Sequence, residues 1–186
     1  MQGWVEALAI ANADGAALTN TTTATSLLPA TAKVVLPAQF LDKAGKGLRL
    51  RLIGRMSTLA TTPGTFTFDV RFGATIVYTG GALVLNTTAQ TNATFFIDLH
   101  LVSRSIGSGT AATIMGTGIF QSRVVIGSPA AGVGASGQTL MPDTAPVVGT
   151  GFDSTTAQTI DVFGTWSTAS VSNTVTVHQF IIEAMN

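Results

Sequence analysis

Apolar and polar residues alternate along much of this chain with a period of two, and Thr, Val, Ile and Phe dominate the apolar segments. Such a pattern predicts β-strands and few helices. In TFTFDVRF, Phe66, Phe68, Val70 and Phe72 share one face while Thr65, Thr67, Asp69 and Arg71 share the other. That is the signature of a half-buried antiparallel strand. LRLRLIGRM repeats it, with Leu48, Leu50 and Leu52 inward, Arg49 and Arg51 outward, and a Gly45-Lys46-Gly47 turn before it. Further strands are predicted over residues 4–10, 33–36, 74–78, 82–85, 94–102, 113–126, 159–166 and 174–184. Turn signals separate them at Pro63-Gly64, Gly80-Gly81, Asn86-Thr87-Thr88, Gly107-Ser108-Gly109 and Ser172-Asn173.

So many strands in one chain predict an all-β fold, an antiparallel β-sandwich that buries two Phe-rich faces against each other. A jelly roll is the leading topology, with immunoglobulin-like and up-and-down arrangements as alternatives. Gly116 and Gly118 inside 113–126 point to a bulge or a bend where a strand passes between sheets. The whole chain, 1–186, reads as a single domain. Two segments fit a compact sandwich poorly. Residues 12–32, with the run TNTTTATS, read as an extended arm or surface loop. Residues 127–157 form a long loop of Gly, Ala, Ser, Thr and Pro, whose sparse apolar residues Leu140, Met141, Val147, Val148 and Phe152 would pack on a neighbouring subunit.

Charge changes the picture from fold to setting. Nine basic and nine acidic residues give a net charge of zero, so little repulsion keeps copies apart, and a surface destined to be covered is expected. Seven of the nine basic residues (Lys33, Lys43, Lys46, Arg49, Arg51, Arg55 and Arg71) fall between positions 33 and 71, where only Asp42 and Asp69 oppose them. This segment is the candidate for docking on an acidic neighbour. Interleaved aromatics for base stacking are missing and the chain is neutral overall, which argues against nucleic acid. The candidate partner-binding residues are Lys43, Lys46, Arg49, Arg51 and Arg55, together with Leu140, Met141 and Phe152 from the long loop.

Candidate chemistry is thin. With no Cys, a disulfide framework is excluded. The N-terminal segment has Glu6 in its first apolar run and no basic flank, so no signal peptide is expected, and no window reaches the length of a membrane-spanning helix. Three N-x-T sequons, at Asn20, Asn86 and Asn92, are what a Thr-rich chain produces by chance. Gly132-Val133-Gly134-Ala135-Ser136-Gly137 matches a dinucleotide fingerprint, but no helix follows to receive a pyrophosphate. His100 lies two residues after Asp98 on one strand face and reads as half of a polar pair; His178, on the last strand, reads as a packed or interface residue. Neither belongs to a triad or a zinc spacing, and Asn12-Ala13-Asp14-Gly15 supplies only a fragment of a calcium loop. No cofactor, metal or enzymatic activity is expected.

The Thr- and Ala-rich, Cys-free, charge-poor chain, the run SLLPATAKVVLPAQFLDKAGKGLRLRLIGRMST followed by GTFTFDVRFG, and the closing strand TVTVHQFIIEAMN resemble the small jelly-roll structural proteins of tailed bacteriophages. The resemblance is to capsid decoration, or cement, proteins in particular. It implies a virion component without catalysis, made in the host cytoplasm and bound to the capsid surface. The implied partners are the chain itself, as a homotrimer, and the major capsid protein or other virion proteins, with no membrane. The family has no shared functional motif, so no site residue transfers. A tail or baseplate component is the alternative within the particle. A carbohydrate- or receptor-binding sandwich is the alternative outside that class, with Trp4, Tyr78 and Trp166 as its candidate aromatics.

Overall fold

The computed structural model describes residues 5–127, 137–142 and 144–185. Its strands in chain order are β1 Val5–Ile10, β2 Leu18–Thr19, β3 Thr25–Ser26, β4 Val34–Leu36, β5 Gly47–Thr58, β6 Thr65–Phe72 and β7 Thr75–Leu85. They continue with β8 Gln90–Ser105, β9 Thr113–Gln121, β10 Val125–Gly127, β11 Gln138–Met141, β12 Gln158–Trp166 and β13 Thr174–Met185. One sheet runs β1-β13-β5-β8-β9-β11, with β2 also on β13; the other runs β10-β7-β6-β12-β3, with β4 also on β12. Every pairing is antiparallel. The expected β-sandwich is therefore present, in an arrangement consistent with a jelly roll.

From β9 onward the chain changes sheet at each successive strand, so residues distant in sequence meet in the core. Leu48, Leu50 and Leu52 point inward from the larger sheet. Phe66, Phe68 and Phe72 point inward from the smaller one, each at most 3% exposed, as the alternation predicts. Aromatic rings join the layers. Phe66 meets Trp166 at 4.4 Å and Phe68 at 4.6 Å, while Phe68 reaches across to Phe120 at 5.7 Å and Phe95 at 5.8 Å. Edge-on and tilted contacts of this kind add to the burial energy of the rings.

Three sequence expectations are corrected. Residues 74–78 and 82–85 belong to the single strand β7, and Gly80-Gly81 is no turn. The register there puts one extra residue on β7, a bulge that Gly81 accommodates at φ 75°. Residues 113–126 break into β9 and β10, which lie in different sheets, but the break falls at Ser122–Val124 and not at the glycines. Ser122 holds that corner: its hydroxyl donates to the Thr94 carbonyl at 2.8 Å and accepts from the Val124 amide at 3.3 Å. Gly116 serves packing, because a Cβ there would strike the Tyr78 ring and Leu101.

The third correction concerns the two loop segments, whose described residues are part of the sandwich. The 12–32 segment closes one open side. Gly15 N–H donates to the Val177 carbonyl on the larger sheet and Leu27 N–H to the Val162 carbonyl on the smaller, both at 2.8 Å. The Trp166 indole donates to the Leu18 carbonyl at 3.4 Å. Residues 144–157 close the opposite side, where Gly149 N–H donates to Ile114 on β9 at 2.9 Å and Thr150 N–H to Ile76 on β7 at 3.1 Å. Both segments thus satisfy backbone groups at sheet edges that would otherwise stay unpaired. The remainder of the long loop, with the Gly132 to Ser136 part of the glycine motif, lies outside the described residues.

Tyr78 is 4% exposed and its hydroxyl has no hydrogen-bond partner among the described residues. Burial, with the charge of Asp69 adding to it, pushes the phenol pKa up. An orphaned buried hydroxyl costs about 1–3 kcal/mol. Tyr78→Phe is therefore expected to leave the protein as stable as the wild type or more so in urea unfolding, whereas a loss above about 1 kcal/mol would show that the hydroxyl has a partner.

Candidate functional site

The register of the larger sheet brings its outward residues into rows. Glu183, Arg49, His100 and Thr117 lie side by side, and the next row holds Ile10, Ile181, Arg51, Asp98, Ile119 and Leu140. The arginines pair diagonally between these rows. Arg49 Nε donates to Asp98 Oδ1 at 2.8 Å and its Nη2 pairs with the other carboxylate oxygen. Arg51 Nη2 donates to Glu183 Oε1 at 2.8 Å. Diagonal neighbours on adjacent strands lie about 7–8 Å apart at their backbones, a span that only long side chains bridge. His100 Nε2 sits 3.6 Å from Asp98 Oδ1, so the expected polar pair forms within this charged band.

The basic segment consequently differs from the free cationic patch that its composition suggests. Besides Arg49 and Arg51, Lys33 pairs with Asp161 at 2.7 Å, Lys46 with Asp42 at 3.5 Å and Arg71 with Asp69 at 3.7 Å. Lys46 also sits 4.6 Å above the Phe40 ring. Lys43 and Arg55 are exposed and form no ion pair among the described residues. Three of the acids involved, Asp98, Asp161 and Glu183, come from strands remote in sequence, which local charge counting does not see.

The loop candidates divide as well. Leu140 is 65% exposed on the outward face, whereas Met141 and Phe152 are 1% and 4% exposed inside the chain's own core. Alternation along β11 sends Met141 inward beside Leu140, and Phe152 packs edge-on against Phe72 at 4.9 Å. Those two side chains are occupied within the domain and offer no surface to a partner.

Hydrogen bonding from Arg49, working against partial burial, holds the Asp98 carboxyl below its ordinary value of 3.8. The stabilisation from this pairing is fully present above that ordinary value and is lost as pH falls through the lower folded one. A melting series from pH 5 down to about 2 should therefore show a steeper loss for the wild type than for Asp98→Asn. Parallel curves would show that the pair contributes nothing.

Around the charged band the outward face is mixed: Ile53 and Phe96 lie on one side of it in a row with Gln179, Gln121 and Gln138, and Val102, Met115 and Met185 lie on the other. On the outward face of the smaller sheet the β6 and β12 positions are Thr65, Thr67, Asp69, Arg71, Thr159, Asp161, Phe163 and Thr165, flanked by Val35 on β4 and by Ile76 and Val84 on β7. An antiparallel sheet that faces water normally presents polar residues there, as β6 and β12 largely do. The outward face of the larger sheet, with its paired charges, is the candidate functional surface, and its signal was the run of half-polar strands whose outward positions include Ile53, Phe96, Val102, Ile119 and Ile181.

Other sites are less built. A cleft of about 480 Å³ at one end of the sandwich is lined by Ser57, Thr58, Gln90, Thr91, Ser172 and Thr174 without an aromatic platform. Of the aromatics considered for a sugar site, Tyr78 and Trp166 are buried and Trp4 lies outside the described residues. His178 Nδ1 lies 2.9 Å from Asp14 Oδ1, tying the 12–32 segment to β13. Among the described residues, no group of three or more His, Asp or Glu is arranged to hold a metal ion, and no helix is long and apolar enough to cross a membrane.

No known family model matches the chain, and no curated protein matches it. Among solved structures, the CBM2 module of Lactobacillus casei BL23 phage J-1 evolved Dit is similar at 11% identity and a TM-score of 0.34. That match covers 83% of this chain and 68% of the other. A similarity at this level carries no argument about function.

Proposed function

We propose that this chain is a non-enzymatic structural protein of a tailed-bacteriophage particle, a capsid decoration protein that binds the outside of the head and stabilises it. The observation that carries the reading is the outward face of the larger sheet, where half-buried Ile53, Phe96, Ile119 and Ile181 lie beside a band of charges already paired inside the chain, with Ile10 and Leu140 exposed at its margins. Apolar residues grouped with charges that need no outside partner suit a protein contact. The low overall charge supports the same reading, since a subunit fixed in an assembly does not depend on charge for its solubility. The major capsid protein is the proposed partner within the particle.

Particles of the virus that encodes the chain, separated into heads and tails and quantified by mass spectrometry, test this. The chain should appear in the head fraction at a fixed ratio to the major capsid protein. A few copies confined to tails would reassign it to the tail or baseplate. Absence from both fractions would overturn the virion reading.

A further inference from the structure

We propose that the cleft at the end of the sandwich, between the β5–β6, β7–β8 and β12–β13 loops, binds a saccharide that bears an acidic group, a carboxylate or a phosphate. This goes beyond the assignment to a particle and does not depend on it. The cleft holds about 480 Å³, within the range of small-molecule sites. Its lining is neutral. Ser57, Thr58, Thr91, Ser172 and Thr174 contribute hydroxyls and Gln90 an amide, while Leu59, Ala60, Ala89 and Val171 are apolar. Hydroxyl and amide groups match the hydroxyls of a sugar, and the short apolar side chains can cover its C–H edges. No aromatic ring lines the cleft, so polar contacts and charge carry the recognition.

Charge at this end of the molecule is one-sided. Segments 20–24, 59–64, 86–94, 121–124 and 167–174, which converge there, contain no Asp or Glu. Arg123 is exposed and forms no ion pair among the described residues, and its Nη2 donates at 3.3 Å to the carbonyl of Thr91 in the cleft wall. Arg55, likewise exposed and unpaired, stands two positions before Ser57 on the outward face of β5, beside Thr94 and Thr176. Asp14, in the 12–32 segment, is engaged by His178 at 2.9 Å, and Asp42 and Asp153 belong to loops at the opposite end. Two guanidinium groups without carboxylates of their own, beside a hydroxyl-lined cleft, fit an anion carried on a polyol. A nucleic acid strand would need aromatic faces for its bases, and an inorganic anion would leave the neutral lining unused.

The walls of the cleft are held in place before any ligand arrives. The Ser57 hydroxyl accepts from the Asn92 amide at 3.0 Å and that of Thr58 from the Gln90 amide at 3.3 Å, which ties β5 to the start of β8. Asn173 Oδ1 accepts from the Leu59 amide at 2.8 Å and fixes the β12–β13 side. Ser57 keeps its O–H proton to donate, and because Gln90 Nε2 donates to the Thr88 carbonyl at 3.0 Å, Oε1 is the atom left to accept from a sugar hydroxyl. Thr61 and Asn92, each next to a cleft residue, hold left-handed backbone at φ 67° and 47°. Such a conformation is strained for a β-branched residue, and strain of this kind gathers at ligand clamps.

The test is a titration of the full chain followed by nitrogen–proton correlation NMR, which also reports that each variant is folded. The probes are digalacturonate, glucose-6-phosphate, maltose and inorganic phosphate. At least one of the two acidic sugars should shift the amides of Ser57, Gln90, Thr91 and Ser172 saturably, and which of them does so assigns the acidic group. Maltose should bind about tenfold more weakly or not at all, and Arg55→Gln and Arg123→Gln should each weaken the acidic sugar about tenfold, the worth of one charge-assisted hydrogen bond. Lys43→Gln, at the opposite end, should leave binding unchanged. No shift with either acidic sugar, equal binding of maltose or of inorganic phosphate, or binding indifferent to both arginine variants would overturn the proposal. Because the measurement uses the isolated chain, its failure leaves the presence of the chain in heads or tails to be decided separately.

Discussion

Phe68→Ala should lower the free energy of unfolding by about 3–5 kcal/mol, the range for deleting a fully buried aromatic ring. Phe68 is 3% exposed and touches Phe66 on its own strand and Phe95 and Phe120 on the opposing sheet. Its removal leaves a cavity walled by rings that are themselves held by both layers, so collapse cannot fill it. Phe163, on the outward side of the same sheet, makes the contrast. It is half-buried and covered by the Arg71 guanidinium, 4.0 Å from the ring centre. Phe163→Ala should cost clearly less in the same urea titration. Equal losses for the two variants would show that the core is not centred on this aromatic column.

Asn173→Ala should cost about 3 kcal/mol through a different mechanism. Asn173 is fully buried, and its side chain joins the β5–β6 and β12–β13 loops at one end of the sandwich. Its Oδ1 accepts from the Leu59 amide at 2.8 Å, while Nδ2 donates to the Pro63 and Thr168 carbonyls, each at 3.1 Å. Truncation strands a buried N–H and two carbonyls, and each orphaned group costs about 1–3 kcal/mol unless water enters to replace the amide. Heat or urea unfolding of Asn173→Ala reads the loss directly. A variant within about 0.5 kcal/mol of the wild type would mean that the clasp is replaced by solvent.

Strand identity was legible because alternation is a local property. TFTFDVRF and LRLRLIGRM reveal their buried faces without reference to any other residue, and Phe66, Phe68, Phe72, Leu48, Leu50 and Leu52 are in the core as read. What depends on pairing was not legible. The fate of Arg49 and Arg51 is decided by β8 and β13, which flank β5 and deliver Asp98 and Glu183. Nothing near positions 49 and 51 announces those acids.

Glycine misled in two places for a related reason. Gly80-Gly81 has the composition of a turn, yet it forms a bulge because β6 continues to pair on both sides of it. Gly116 has the composition of a bend, yet it makes room for Tyr78 from the facing sheet. Asn173 reads as a turn residue, and only the fold shows that it ties two loops together. The long loop was misjudged because β7 and β9, beyond the stretches covered by β10 and β11, receive backbone bonds from a segment too poor in apolar residues to declare itself structural.

The proposed role puts this sandwich on the head of a virus particle with the outward face of its larger sheet covered by protein. A cryo-electron microscopy map of the native particle tests it most directly. The prediction is density for the sandwich repeated at symmetry-related positions on the head, with Phe96, Ile119 and Leu140 against a neighbouring chain and the Thr-rich face of the smaller sheet toward solvent. A head surface without this density, or copies docked with the outward face of the larger sheet open to solvent, would contradict it.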